Sequence, residues 1–427
     1  MIVGGGFGGV AAAHALRRAD VAITLVDRKN HHLFQPLLYQ VAAGGLSSGD
    51  CATPIRSLLK RQSNVEVLMA EVTGVDAERR RVTLDRGEEL RYDSLILACG
   101  AETSYFGHDE WRDVSCGLKT LGDAVDLRNR VFGAFEEAER ATDPAARAEW
   151  LTFVVVGGGP TGVEVAGQLA ILARHAMRRD FLRIDPADAR VILLDAGERV
   201  VPAFRLRLSK RVARALGKLG ATVREGARVT GIDARGVTVE QDGRSERIAA
   251  RTVVWAAGVR TAAVAGTLAQ ATGAATDRAG HVAVGPELTV AGHPEVSVIG
   301  DAASAAGADG RPLPGLATVA IQQARHVAQA IARGQPGAST PFRYFDKGAL
   351  AVVGRGRAVC EIRGHGFAGP PAFLTYLGVH LYYLGSGAPG RRVQVLTAWL
   401  SVAIGARQSR VVEGELASIE RPAGARA

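Results

Sequence analysis

One pattern occurs twice in this chain and limits its possible folds more than any other feature. Val3-Gly4-Gly5-Gly6-Phe7-Gly8-Gly9 leads into a helical pattern over 10–18 and an apolar run over 21–26 that ends in Asp27. Phe153-Val154-Val155-Val156-Gly157-Gly158-Gly159-Pro160-Thr161-Gly162 leads into a helical pattern over 163–177 and then Val191-Ile192-Leu193-Leu194, which ends in Asp195. Strand, glycine turn, helix, strand and acid make one βαβ unit, and parallel strands joined through a helix belong to an α/β sheet. Short β-rich stretches follow each copy, at 65–85 and 91–98 and again at 222–241 and 251–256.

In a G-x-G-x-x-G turn the first glycine makes the tight bend and the second lets backbone approach a pyrophosphate. The third lets the helix pack close, with its first N–H groups facing the phosphates. Gly4, Gly6 and Gly9 meet this pattern, and Asp27 lies where a ribose diol would donate to it. Gly157, Gly159 and Gly162 meet it again with Asp195, at a longer spacing through an excursion at 183–190. Either turn alone also suits a tight bend without ligand; together they predict two bound dinucleotides. Val296-Ser297-Val298-Ile299-Gly300 delivers Asp301 to the carboxyl end of a third strand, where ligands of open α/β sheets bind. Taken alone, Asp301 reads as an ordinary turn residue. Leu95-Ile96-Leu97-Ala98-Cys99-Gly100 and Val253-Val254-Trp255-Ala256-Ala257-Gly258 end in small residues that permit close backbone approach.

A chain of 427 residues exceeds one ordinary core, so two or three domains are expected. Hydrophobic content of 47% with 22% charged residues excludes disorder. The net charge is +9, but 46 of the 52 basic residues are Arg scattered along the chain, and aromatics are 5%. That distribution argues against nucleic acid and suits an anionic membrane surface. Cys51, Cys99, Cys116 and Cys360 form no C-x-x-C, which excludes a zinc ribbon, a disulfide scaffold and a close redox pair. His31, His32 and His380 have no ligand spacing, so no metal is expected. Ile2-Val3 is short for a central strand: either the gene product begins a few residues earlier or the fold accepts a stub, and no secretory signal is expected. A charged helix or linker is expected at 136–149 and a Gly/Pro-rich boundary at 334–341, with strand-like alternation at 342–362 beyond it.

These pieces, in this order, resemble the two-dinucleotide-binding flavoproteins, and among them the type II NADH dehydrogenases (NADH:quinone oxidoreductases). Asn30-His31-His32-Leu33-Phe34-Gln35-Pro36-Leu37-Leu38-Tyr39-Gln40-Val41-Ala42 looks like that family's segment beside the flavin ring. Ala256-Ala257-Gly258-Val259, Tyr344-Phe345-Asp346-Lys347-Gly348 and Val353-Gly354-Arg355 also match, and the resemblance runs from residue 2 to about 412. It implies a discontinuous FAD domain (1–116 and 267–333), an inserted NADH domain (117–266) and a C-terminal α+β membrane-associating region (334–427). FAD would be met by the first turn with Phe7, Gly8, Asp27 and Arg28, by Val72, by Ala98, Cys99 and Gly100, and by Asp301. Ala317, Thr318 and Val319 would join them, at a helix start aimed at the flavin. NADH would be met by Gly157, Gly159, Thr161, Gly162, Asp195, Ala257 and Gly258. Pro36, Glu164 and Gln322 would stand at the chemistry. The family's quinone motif begins Ala-Gln, whereas here Thr318 replaces the glutamine; Gln168 and Cys99 also depart from the pattern.

The activity implied is hydride transfer from NADH to FAD, then two electrons to a membrane quinone, with Asp195 repelling a 2′-phosphate. A sulfide:quinone oxidoreductase shares the architecture but needs working cysteines near the flavin. A flavin-bearing redox sensor would reduce and stay reduced. Glu164, expected in the first turn of its helix, is either a carboxylate favoured by the helix dipole or a neighbour of the nicotinamide. Residues 369–390 carry no Asp, Glu, Lys or Arg. Helices at 372–384 and 393–406, with Arg391, Arg392, Arg407 and Arg410 beside them, suit an interfacial anchor on the cytoplasmic face of the membrane. The alternative is a helix pair buried in a core or against a second copy in a homodimer.

Overall fold

The structure, a computed structural model, describes residues 1–177, 180–337, 340–384, 390–403 and 411–413. Two compact units divide the chain: Met1–Leu33, Ala52–Glu102 and Val259–Asp346 form one, and Phe34–Cys51, Thr103–Gly258 and the chain from Lys347 onward form the other.

The first unit is built on a six-stranded sheet. Its strand order is Thr289–Val290, His293–Val298, Leu95–Leu97, Ile2–Val3, Ile23–Asp27, Val65–Met69, all parallel except the first. The two-residue strand is central after all, with Ile2 beside both Leu25 and Ile96. Alternate residues supply two cores. Val3, Val26, Leu97 and Val298 face one side; Ile2, Leu25 and Ile96 face the other, under Ala12 and Ala13 of the Phe7–Ala15 helix and Val327 of the Ala317–Ala332 helix. Burial on both faces explains why these strands read as continuous apolar runs.

The second unit centres on a four-stranded parallel sheet, Ala221–Glu225, Arg190–Asp195, Thr152–Val156, Thr252–Trp255. Val154, Val156, Ile192 and Trp255 face a core completed by the antiparallel strands Gly236–Gln241 and Arg244–Ala249. The Pro160–Ile171 helix begins three residues before its expected start, because Pro at the first helical position has φ pre-set and lacks only an orphan N–H. Beyond Lys347, the strands Ala349–Gly354, Arg357–Ile362 and His365–Ala368 form an antiparallel sheet. The strand expectation at 342–348 is corrected: those residues are irregular. The helices Pro370–Leu384 and Gly390–Ala403 follow, both starting earlier than expected. Arg407 and Arg410 lie outside the described residues.

Candidate active site

The two glycine turns are built alike, hydrogen bond for hydrogen bond. Gly4 N–H donates to Val26 O at 2.8 Å, and Gly157 N–H to Leu194 O at 2.8 Å. Gly5 N–H donates to Asp27 Oδ2 at 2.6 Å, and Gly158 N–H to Asp195 Oδ2. Each acid also accepts the N–H two residues on, Lys29 to Asp27 and Gly197 to Asp195, both at 2.7 Å. The carboxylates are thereby fixed at the strand ends with lone pairs left for further donors.

Steric room separates the glycines by task. Gly4 and Gly157 have φ of +104° and +110°, and a Cβ there would meet the backbone of Ala98 and Ala256. A Cβ at Gly9 or Gly162 would sit 1.8 Å from the carbonyl oxygen of Gly4 or Gly157. At Gly6 and Gly159 a Cβ would meet nothing within 4 Å: these are the open positions. They cap the Phe7–Ala15 and Pro160–Ile171 helices without a side-chain hydrogen bond, leaving first-turn N–H groups, Thr161 among them, for an anion. The residues therefore fit two dinucleotide pyrophosphates.

The first unit gathers the other flavin-side residues. Asp301 sits in the Gly300–Ala302 turn after the His293–Val298 strand, and that strand pairs with the one ending at Ala98, Cys99 and Gly100. Among the described residues no donor reaches the half-buried Asp301 carboxylate, which leaves it for a ligand hydroxyl. The Ala317–Ala332 helix starts at Ala317, Thr318 and Val319 with no capping side chain and no acid in its first turn. Arg28 is engaged with Glu102 at 2.7 Å and Glu71 at 3.6 Å, and Val72 lies in the core with Val3 and Val26. His32, not singled out as a contact, donates from Nδ1 to Gly5 O at 3.0 Å and packs edge-on against Phe7.

Gln322 is clamped to backbone. Its Nε2 donates to Thr318 O and Phe345 O, and its Oε1 accepts Phe345 N–H at 3.0 Å. The neighbouring Gln323, buried, accepts Gly300 N–H at 2.7 Å and so holds the turn that carries Asp301. Sequence reasoning missed it, although two adjacent glutamines in an apolar helix were a signal.

The second unit carries the residues expected to meet NADH, with Glu164 and Pro36. Glu164 is not in the first turn of its helix, which holds no acid, but in the second, because the helix starts at Pro160. Burial pushes its carboxyl up to about 8, and a 3.4 Å hydrogen bond from Val352 N–H offsets that only partly. The dipole explanation thus falls away. Pro36 lies half-buried in the Gln35–Leu37 turn. Phe106 covers Gly258: a Cβ there would lie 2.4 Å from its ring. A polar chain, part-buried at one end and buried at the other, joins the Leu38–Ala42 helix to the two C-terminal helices. Trp399 Nε1–H donates to Gln40 Oε1 at 2.7 Å, Gln40 Nε2 donates to the Tyr39 hydroxyl at 2.9 Å, and Tyr39 meets Tyr376 at 2.8 Å.

All four cysteines are free, and burial raises their thiols, Cys51 and Cys99 to about 12 and Cys116 and Cys360 to about 11. Thiolate chemistry is therefore suppressed at each. Among the described residues no group of His, Cys, Asp and Glu is placed to hold a metal.

The family model for pyridine nucleotide-disulphide oxidoreductases matches residues 1–324. A type II NADH:quinone oxidoreductase, Ndh, of Mycobacterium tuberculosis is 47% identical over 392 residues, covering 90% of this chain and 84% of that one. The chain belongs to the type II NADH:quinone oxidoreductase family. Its fold is similar to that of NDH2 from Plasmodium falciparum in complex with NADH, at TM-score 0.84 and 19% identity, covering 95% of this chain and 98% of that one. The sulfide:quinone oxidoreductase of Aquifex aeolicus shares the fold at TM-score 0.71 and 17% identity, covering 100% of this chain and 99% of that one. At those identities the likeness concerns architecture alone.

Proposed function

We propose that the protein oxidises NADH and passes two electrons to a membrane quinone, with non-covalent FAD as resident carrier and without pumping protons. The observation that carries this is the pair of open glycine cradles, each with its acid already fixed. When bound, FAD supplies the two-electron chemistry between hydride donor and quinone. The first cradle and Asp27 hold its pyrophosphate and ribose, Asp301 takes a ribityl hydroxyl, and the N–H groups of Ala317 and Thr318 favour negative charge. Its domain is drawn at 1–116 and 267–333, most of which falls in the unit Met1–Leu33, Ala52–Glu102 and Val259–Asp346.

NADH takes the second cradle, where Asp195 accepts from the ribose diol and repels a 2′-phosphate. Glu164 keeps a proton at neutral pH, because burial holds its carboxyl at about 8. A carboxylic acid in that state can donate to a reacting group.

The acceptor is met at a lipid surface on the cytoplasmic face. Two features support docking there. The Pro370–Leu384 helix turns Ala372, Tyr376, His380 and Leu384 inward yet leaves Leu374 and Tyr382 exposed, and the Gly390–Ala403 helix exposes Val393, Leu396 and Leu400. No described helix is long and apolar enough to cross a membrane, which fits a monotopic attachment. Arg392 is less available to headgroups than its position implied, since it donates to Leu381 O and Tyr382 O at the end of the preceding helix. A second copy of the chain is the competing occupant of these faces, and sedimentation without detergent separates the two.

Steady-state oxidation of NADH, NADPH and sulfide with a short-chain quinone tests the activity. The expected order is rapid turnover with NADH, much slower with NADPH and none with sulfide; turnover with sulfide in place of NADH would overturn the proposal.

A further inference from the structure

Away from both glycine turns, the Leu206–Leu219 helix carries Arg207, Arg211, Arg214 and Lys218 at spacings of four, three and four residues. That periodicity aligns them along one edge. The helix contains no Asp or Glu, so the line is not the mixed-sign surface of an ordinary solvated helix. Between this helix and the sheet of strands Ala349–Gly354, Arg357–Ile362 and His365–Ala368 lies a cavity of about 670 Å3. The four cations and Arg357 line it, and no acid does. Its accessible wall is apolar, Ala215, Phe367, Ala368 and Pro370, laid over the buried Leu208, Val212, Val353 and Val359.

Arg207 Nη2 donates to Gly366 O at 2.6 Å, which ties the helix edge to the sheet. Arg205, just outside, pairs with Glu361 at 3.2 Å. Among the described residues Arg211, Arg214, Lys218 and Arg357 have no such partner. Exposed cations with no acid among them raise the local potential and favour an anion. A free phosphate would use the charges and leave the wall wet, whereas an amphiphilic anion would use both. The cavity also reaches Pro370, the first residue of the helix that exposes Leu374 and Tyr382.

We propose that this cavity binds an anionic phospholipid, with its phosphate among Arg211, Arg214 and Arg357 and the start of an acyl chain along Ala215, Phe367 and Pro370. The inference rests in part on the membrane reading, and a monomeric lipid tests it without a membrane. The flavin-loaded full chain is titrated calorimetrically with dihexanoyl phosphatidylglycerol below its micelle concentration. Dihexanoyl phosphatidylcholine and inorganic pyrophosphate are titrated in parallel, all with NAD⁺ at saturation so that the second glycine turn is filled. The expected result is saturable one-to-one binding of phosphatidylglycerol, at least about tenfold weaker for the other two. Arg211→Gln with Arg214→Gln should weaken it about tenfold or more, while Lys210→Gln with Arg244→Gln, an equal loss of charge elsewhere, should not. Absence of saturable binding, an equal loss in the control pair, or pyrophosphate binding as tightly as the lipid would each overturn the assignment. If monomeric lipid binds but the protein ignores vesicles, the helix anchor fails and this site stands.

Discussion

Burial holds a proton on Glu164 up to about pH 8, which contributes to the pH dependence of the second unit's stability. With its folded value raised above the ordinary 4.5, the folded chain binds more protons than the unfolded chain between the two values. The stabilisation tied to the neutral carboxyl is therefore complete below 4.5 and lost as pH rises through about 8. Glu164→Gln removes the titration, so the melting temperature of the wild type should fall relative to the variant across that window and run parallel outside it. Asp195→Ala should narrow the NADH/NADPH gap in kcat/KM, because the variant no longer repels a 2′-phosphate; a wild type that already prefers NADPH would refute the ribose assignment. Asp301→Ala removes a charged acceptor worth about 1.5–3 kcal/mol to a hydroxyl. Its purified form should lose flavin at submicromolar free FAD, read as the ratio of flavin to protein absorbance. The positions of Asp27 and Asp195 were legible in the sequence because each closes an apolar strand. Gln323 was not: it and Gln322 differ by one step around a helix, and only tertiary packing decides which amide turns inward.

Elements were legible where sterics are local. Both turns could be foreseen down to the third glycine, because a Cβ at Gly162 would strike the carbonyl of its own turn. Gly162→Ala should force the helix off the sheet at a cost of about 1–3 kcal/mol. Flavin content should survive, since the first turn lies in the other unit, while the rate of flavin reduction by NADH falls roughly tenfold or more in stopped flow. Helix starts were misjudged at Pro160 and Pro370, where proline reads as a breaker but serves as a first-turn residue. The Tyr39–Tyr376 pair joins residues 337 apart and leaves no local trace in the sequence. It pins the Pro370–Leu384 helix to the Leu38–Ala42 helix by one face, so the outward face, with Leu374 and Tyr382, is left exposed. Flotation with liposomes should retain the full chain at low salt, more with anionic lipid, and salt should weaken but not abolish it. A protein that stays in solution with every lipid mixture would leave these helices to a second copy of the chain.

At the scale of the molecule, one βαβ plan used twice puts one glycine turn in each unit, and the proposed function stands on both turns working in one turnover. Anaerobic titration of the purified yellow protein with NADH, followed by a short-chain quinone, examines that directly. The account predicts that NADH bleaches the flavin in equal amount and that the quinone restores the oxidised spectrum, also in equal amount. Flavin that stays oxidised under excess NADH, or stays bleached under excess quinone, would contradict it.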